Sequence, residues 1–223
     1  MRDFTVVNVP QRSPEWFRAR LGRLTGSVAG DMLATIKNGE AAARRDLRLT
    51  LVCERLTGVP QVDDYVNAAM QWGIDHEDEA RIAYEMATGN LVAESGFLQH
   101  VSLMAGCSLD GHLGDYAGIV ELKCPKTATH IDVLRNGIPS RTLPQILHNL
   151  WISGAAFCDY VSYDPRLPEK LRLSIHRVTA DDVDLAGYAK KAVAFLEDVE
   201  AEVCALQTMA DVGIVLALAA KEA

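Results

Sequence analysis

The feature that most constrains the fold is a change of hydrophobic period near residue 90. Before it, apolar residues recur at helical spacing, and capping residues and glycines mark where helices begin and end. The helices are expected at about residues 14–21, 28–36, 41–56 and from Asn67 or Ala68 to 87. We therefore interpret the first ninety residues as helical, with Ser27 at the start of the second helix.

After the change, short apolar runs separated by polar breaks predict strands at 91–99, 101–109 and 118–125, which we interpret as a small antiparallel meander. The remaining elements are expected as helices at 127–136, 143–153 and 181–209 and strands at 157–163 and 171–178. This order predicts an α/β fold with a central mixed β-sheet flanked by helices. We expect a single domain over residues 1–223.

Bulk properties exclude several classes of protein. The five cysteines are scattered and never in C-x-x-C spacing, which argues against a disulfide framework and a zinc site and favours a cytoplasmic protein. The apolar C-terminal run is too short to span a bilayer, so no membrane association is expected. The net charge of −8 is unlike that of a protein that coats nucleic acid, although an enzyme can enclose local basic groups in an acidic surface.

The stretch GIVELKCP at 118–125 places an acid and a base in an apolar run. Because side chains alternate across a strand, Glu121 and Lys123 share one face, while Val120 and Leu122 share the other. The stretch is open to two interpretations. It is either an edge strand with a solvated polar face or a strand that carries a reactive site.

Neighbouring acids favour the reactive site. A hairpin after S-L-D-G brings Asp110 beside Glu121, and Glu77 lies on the helix that precedes the strands. Converging carboxylates repel one another unless a cation lies among them, and oxygen ligands select magnesium or manganese. A lysine beside such a site can orient or deprotonate a water that attacks phosphorus. The set therefore predicts phosphodiester hydrolysis.

A series of ordered motifs carries a resemblance to a known family. These are RLGRLTGS at 20–27, WGIDHEDEAR at 72–81, CSLDG at 107–111, ELKCP at 121–125, the glutamine helix at 145–151 and YDPR at 163–166. The series resembles the phage lambda-type exonucleases, also called alkaline exonucleases or viral recombinases, of the PD-(D/E)xK nuclease superfamily. The resemblance implies a restriction-endonuclease-like core.

The resemblance also implies roles for individual residues. Asp110 and Glu121 are expected to hold metal with the backbone carbonyl of Leu122. Glu77 is expected to help hold a second ion, and Lys123 to handle the attacking water.

A further set is expected to cradle the terminal 5'-phosphate, namely Arg20, Ser27, Ser108 and Gln145. For Ser27 and Arg20 there is also a physical basis, since a helix start and a guanidinium both bind phosphate.

The sequence leaves the roles of several other residues open. Leu109 replaces the family's proline, and Asn149 replaces a tyrosine found in many superfamily members, so the role of Asn149 is undecided. The basic residues Arg44, Arg45 and Arg48 are either a solvated helix face or a contact for the DNA backbone. Met70 is either a core residue or part of a wedge that separates the DNA strands.

The function implied is a Mg²⁺-dependent exonuclease, with Mn²⁺ as an alternative and two ions expected. It is expected to digest the 5'-ended strand of linear double-stranded DNA to mononucleotides and to leave 3' overhangs for annealing recombination. The implied partners are DNA ends, a homotrimeric ring of this chain and a phage-type single-strand annealing protein. The alternatives are a restriction-like or repair endonuclease on the same core and a non-catalytic DNA-end-binding scaffold.

Overall fold

The computed structural model describes residues 2–61 and 68–219, with side chains described as far as residue 210. The helices are α1 Pro14–Arg20, α2 Ala29–Met32, α3 Ala42–Thr57, α4 Ala68–Thr88, α5 Thr127–Asn136, α6 Leu143–Ser153 and α7 Leu185–Ala219. The strands are β1 Phe4–Val7, β2 Leu24–Thr25, β3 Val92–Ala93, β4 Phe97–His100, β5 Ala105–Ser108, β6 Gly111–Leu113, β7 Gly118–Lys123, β8 Phe157–Tyr163 and β9 Leu173–Thr179.

The strands form two sheets. The central sheet has the order β3-β6-β7-β8-β9, and it is mixed because β7 and β8 run parallel while the other neighbours are antiparallel. The second sheet has the order β1-β4-β5-β2. The α/β class with a mixed sheet flanked by helices is therefore confirmed. The single meander is wrong, because the chain leaves one sheet after Ser108 and enters the other at Gly111.

Helices cover both faces of the central sheet. On one face, Ile119 and Tyr160 join a large apolar cluster with residues of α6 and α7 such as Phe195. On the other face, Val120 and Val161 pack with Tyr84 of α4 in a second cluster. The crossover that contains α5 and α6 lets β8 lie parallel to β7. Strand β7 is thereby buried between β6 and β8 and under helices on both faces.

Helix ends follow the local sequence signals. The Ser13 hydroxyl accepts a hydrogen bond from the backbone N–H of Trp16, and Pro14 occupies the first position of α1. Gly58 and Gly154 end α3 and α6 with φ of 68° and 65°, values that favour glycine. Helix α4 is described from Ala68 onward, and the alternative start at Asn67 lies outside the described residues, so the exact start stays a prediction.

The first ninety residues are not wholly helical, because β1 and β2 lie within them. Strand β1 pairs with β4 from Phe4 opposite His100, and β2 pairs with β5 from Leu24 opposite Ala105. Both pairings join segments about eighty residues or more apart, so no local signal predicts them. Within the described residues, no helix has the length and apolarity needed to cross a bilayer.

A buried carboxylate stabilises the α4 side of the central sheet. Asp159 of β8 is 1% exposed, accepts two hydrogen bonds from the Arg177 guanidinium at 2.7 and 2.8 Å, and accepts one from the Tyr84 hydroxyl at 2.7 Å. These charge-assisted bonds compensate the cost of burying the charge. The group joins α4, β8 and β9.

Candidate active site

The acid and the base of β7 form an ion pair in the interior of the protein. Glu121 is 1% exposed, and its Oε1 atom contacts the Lys123 ammonium. The Lys123 side chain is 37% exposed. Because β7 is the middle strand of the central sheet, the edge-strand interpretation is excluded. The predicted alternation is confirmed, since Val120 and Leu122 pack in the cluster on the opposite face.

Two amides of α6 hold the Glu121 carboxylate. Gln145 Nε2 donates to Oε1 at 2.6 Å, and Asn149 Nδ2 donates to Oε2 at 3.0 Å. The two amide residues are one helical turn apart, so both face the strand. The structure thus gives Asn149 a defined contact, and it places Gln145 against Glu121 and not among the hydrogen bonds of Arg20.

Asp110 lies where the chain passes from the second sheet to the central one. Its Oδ2 atom accepts a hydrogen bond from the backbone N–H of Leu122 at 2.7 Å. The pairing of Gly111 with Val120 sets Asp110 beside Glu121 along the strands. The structure therefore brings Asp110, Glu121 and the Leu122 peptide together, as the sequence predicted.

Glu77 of α4 faces the same place from the other side of a cleft. The cleft has a volume of about 640 Å³, and Arg12, Glu77, Asp110 and Leu122 are among the residues that line it. Burial raises the pKa of Glu77, and the neighbouring Asp110 carboxylate raises it further. Negative charge at Asp110 and at Glu77 is therefore close enough to interact.

The charges of Asp110, Glu121 and Lys123 favour a cation among the acids. Burial raises the pKa of Glu121 to about 7, with Lys123 opposing the change and Asp110 adding to it. Burial lowers the pKa of Lys123, but the Glu121 and Asp110 carboxylates outweigh it and raise that pKa above its usual range. The amine is therefore held as an ammonium ion among acids.

The donor atoms fit a hard divalent cation. Two carboxylates and a backbone carbonyl, from Asp110, Glu121 and Leu122, are oxygen ligands of the kind that Mg²⁺ and Mn²⁺ prefer. In the described part of the chain, no three His, Cys, Asp or Glu side chains are gathered closely enough to form a metal cluster. In the structure as described, the contacts of Glu121 are instead Lys123, Gln145 and Asn149.

A second polar cluster surrounds Arg20 at the end of α1. The Arg20 guanidinium donates to Ser108 Oγ at 3.1 Å, Thr25 Oγ1 at 3.3 Å and Ser27 Oγ at 3.4 Å. Its Cζ atom lies 4.1 Å from the centroid of the Trp16 ring, and Trp16 Nε1 donates to Ser108 Oγ at 2.9 Å. Burial lowers the pKa of Arg20 to about 10. We call these five residues the Arg20 cluster.

The Arg20 cluster brings together three of the four residues predicted to cradle a phosphate, and it adds two. Trp16 was assigned no role in the site from the sequence, and the signal that could have placed it here is an aromatic residue one helical turn before an arginine. Thr25 stands inside the RLGRLTGS motif, but the sequence did not assign it a role. The Arg20 cluster thus has one cation, three hydroxyls and an indole.

The predicted helix start at Ser27 needs a correction. Ser27 lies in a single 3₁₀ turn, Gly26–Val28, and the helix that follows, α2, has only four residues. So short a helix has little dipole, so the argument from a helix start does not apply to Ser27. Its hydroxyl, in contact with Arg20 and Thr25, is the group it presents.

The Arg20 cluster meets the residues that hold the Glu121 carboxylate at Gly26. An ideal Cβ on Gly26 would lie 2.5 Å from Asn149 Oδ1 and 3.3 Å from Gln145 Cγ. Ser108 of the Arg20 cluster and Asp110, which lies beside Glu121, flank the buried Leu109. The Arg20 cluster and the Glu121 carboxylate are therefore parts of one continuous site.

Gly26→Ala is expected to lower DNA hydrolysis about tenfold, the effect of losing one hydrogen bond to a charged group. The added methyl collides with Asn149, which is 2% exposed and has no room to retreat, so its amide leaves Glu121. Steady-state hydrolysis rates measure the loss. In an Asn149→Ser background the same glycine change is expected to cost little more, and strictly additive losses would contradict the coupling.

The basic face of α3 does not present free charge to DNA. Arg44 pairs with Glu40 and Asp198, and Arg48 pairs with Glu40 and Glu202, so these side chains bind α7 to α3. Exposed Arg45 pairs with its neighbour Asp46. The structure therefore favours the interpretation of these arginines as a solvated and internally paired helix face. Met70, at the start of α4, is 53% exposed, so it is not a core residue.

The fold and the site define a class of protein. A mixed central sheet flanked by helices, with Asp110 just before β6 and Glu121-x-Lys123 on the neighbouring β7, is the restriction-endonuclease-like α/β core. The model of the YqaJ-like viral recombinase domain family matches residues 15–156, more than half of the chain. The chain belongs to this family, and the matched region contains all the predicted site residues.

Solved structures agree with this assignment. The chain is 37% identical to the alkaline exonuclease LHK-Exo of Laribacter hongkongensis, with a TM-score of 0.80 over 89% of this chain and 98% of that one. The complex of LHK-Exo with dAMP matches equally well. A phage-related exonuclease from Haemophilus somnus 129PT shares the fold, with a TM-score of 0.65 at 12% identity over 83% and 96% of the two chains. No curated protein sequence matches significantly.

Proposed function

We propose that the chain is a divalent-metal-dependent exonuclease that enters linear double-stranded DNA at an end and digests the 5'-ended strand. The observation that carries the proposal is the continuity of two sites. An acid and ammonium pair suited to hydrolysis, Glu121 and Lys123, lies next to a partly buried arginine surrounded by hydroxyls. Such an arrangement suits cleavage beside a terminal phosphate.

The residues that would hold metal are Asp110, Glu121 and the carbonyl of Leu122, with Glu77 across the cleft. Burial raises the pKa values of Glu77 and Glu121, and repulsion from the Asp110 carboxylate raises them further, so a bound cation would be favoured among these acids. When bound, a divalent ion supplies Lewis-acid polarisation of a phosphate and acidifies a water. The ion is proposed to be Mg²⁺, with Mn²⁺ as the alternative and a second ion near Glu77.

Protein groups perform the remaining tasks. Lys123 orients the attacking water through a hydrogen bond that its ammonium donates, because the ammonium lies beside Glu121 and retains partial exposure. Gln145 and Asn149 fix the Glu121 carboxylate. Arg20, Ser27 and Ser108 bind the 5'-phosphate through charge-assisted hydrogen bonds. Each cleavage creates a new 5'-phosphate, so the same pocket can be used in every cycle.

The relatives support the finer points of the proposal. LHK-Exo is an alkaline exonuclease that has been solved in complex with dAMP, which is consistent with mononucleotides as products here. We further propose that residues 1–223 act as one nuclease domain, that three copies form a ring around DNA, and that the 3' overhangs pass to a single-strand annealing protein. Enclosure by a ring offsets the weak attraction that a net charge of −8 offers to DNA.

One assay tests the function. Linear duplexes that carry a 5'-phosphate or a 5'-hydroxyl, labelled at either end of one strand, are incubated with and without Mg²⁺, and the products are sized. We expect mononucleotides from the 5'-ended strand, only with the metal and faster from 5'-phosphorylated ends. Release from the 3' end, or digestion unaffected by chelation of metal, would contradict the proposal.

A closed circular plasmid separates the alternatives. An exonuclease leaves it intact, whereas a restriction-like or repair endonuclease cuts it internally. Absence of any nucleotide release with metal present indicates a DNA-end-binding scaffold. The intact set of Asp110, Glu121 and Lys123 favours the exonuclease over the scaffold.

A further inference from the structure

Glu54 of α3 is a buried acid that belongs neither to the Arg20 cluster nor to the group of Asp110, Glu121 and Lys123. It is 6% exposed, its Oε2 atom accepts a hydrogen bond from the backbone N–H of Gly22 at 2.7 Å, and its Oε1 atom accepts one from the N–H of Gln61 at 3.0 Å. In the described part of the chain it forms no ion pair. Burying a carboxylate costs folding free energy, so the position of Glu54 calls for a reason.

The bond to Gly22 fixes the turn that follows Arg20. Gly22 has φ of 65°, and an ideal Cβ there would lie 2.7 Å from Arg55 Cγ, so both conformation and space require glycine. The carbonyl of Gly22 accepts a hydrogen bond from Arg55 Nε at 2.9 Å. Consecutive residues of α3 therefore hold Gly22 by its N–H and by its carbonyl.

This turn determines where the Arg20 guanidinium lies. Arg20 is the last residue of α1, and the chain passes through Gly22 directly into β2, which carries Thr25. The Glu54 charge also acts on Arg20, since it raises the arginine pKa against the effect of burial. Glu54 is thus linked to Arg20 through the backbone and through the electric field.

The bond to Gln61 links the same carboxylate to the chain that follows α3. Gln61 lies shortly after Thr57, the last residue of that helix. One side chain therefore joins the turn behind the Arg20 cluster to the chain beyond α3.

We propose that Glu54 is a positioning residue that acts through Arg20 and sets the preference of the enzyme for 5'-phosphorylated ends. This inference rests on the proposed function and deepens it. Glu54 does not touch the DNA. It holds the Gly22 turn so that the guanidinium reaches both Ser27 and Ser108 and is ready for a terminal phosphate.

Glu54→Gln is the direct test, because it keeps the size of the side chain while turning one acceptor oxygen into a donor that faces a backbone N–H. On 5'-phosphorylated duplexes we expect KM to rise about tenfold, the effect of one lost hydrogen bond to a charged group, with kcat little changed. On 5'-hydroxyl duplexes we expect little change, so the preference for phosphate shrinks about tenfold. The measurements are steady-state digestion of both substrates and thermal unfolding.

Asp159→Asn is the matched control. Asp159 is a second buried carboxylate and accepts three hydrogen bonds. It lies on the face of the central sheet that α4 covers, away from the Arg20 cluster. It is expected to lower the melting temperature while leaving the ratio of phosphate to hydroxyl rates as in the unchanged protein. Parallel behaviour of the two variants, with an unchanged ratio in both, would reduce Glu54 to a structural role and overturn the proposal.

Two further outcomes are distinguishable. If Glu54→Gln does not fold, Arg55→Lys decides in the same assay, because it removes the bond to the Gly22 carbonyl while keeping a charge for Glu200. A reduced phosphate preference supports the positioning role, and an unchanged one overturns it. If the unchanged protein shows no preference for 5'-phosphorylated ends, the proposed function itself fails at the phosphate pocket.

Discussion

Replacing Lys123 with alanine is expected to lower DNA hydrolysis about 10²- to 10⁴-fold, the range typical of losing a group that transfers or orients a proton. The ammonium lies against Glu121 in the middle strand of the central sheet and keeps part of its surface open. Removing it leaves Gln145 and Asn149 to hold the carboxylate, so the fold is expected to survive. Rates at saturating DNA and Mg²⁺ measure the effect.

Lys126→Ala is the control for this prediction, because it removes an exposed lysine of the same stretch that has no place in the site. It is expected to hydrolyse DNA at the original rate. Thermal unfolding and DNA binding in the absence of metal show whether Lys123→Ala remains folded and binds the duplex. A Lys123 variant that retains a tenth of the activity or more would remove the lysine from the chemistry.

The parts of the fold that follow from local pattern are the parts that the sequence predicted. Helices α5 and α6 begin and end where their apolar periodicity, Pro144 and Gly154 indicate, and β8 has its predicted bounds. Strands β1 and β2 were missed because their stability comes from partners far along the chain. The division into two sheets was missed because β6, through which the chain enters the central sheet, was not predicted as a strand.

The candidate site was likewise predicted only in part. Alternation along β7 and the expected hairpin after S-L-D-G were enough to predict that Asp110, Glu121 and Lys123 come together, although the structure makes the pairing through β6, a strand that was not predicted. The amide contact of Asn149 with Glu121 depends on how α6 packs over the sheet, which one sequence does not reveal. The ion pairs of Arg44 were equally hidden, because Asp198 comes from a helix near the other end of the chain.

Replacing Arg20 with alanine is expected to reduce the preference for 5'-phosphorylated ends about 10- to 100-fold, mainly through KM, since charge-assisted hydrogen bonds to phosphate are lost. Arg20 is the cation that joins Ser27 and Ser108. Basal cleavage is expected to fall less, because the Glu121 and Lys123 pair is untouched. The length distribution of products is expected to shift as digestion becomes less processive.

Arg23→Ala separates this effect from the loss of any arginine on the same turn. Arg23 is partly buried like Arg20, but its guanidinium donates to the Leu103 carbonyl at 3.3 Å instead of joining the Arg20 cluster. If its removal changes the preference as strongly as the removal of Arg20, the pocket is defined by general positive charge. If only Arg20 matters, the terminal phosphate is held by the geometry of a single guanidinium, and the position of the Gly22 turn sets the choice of DNA end.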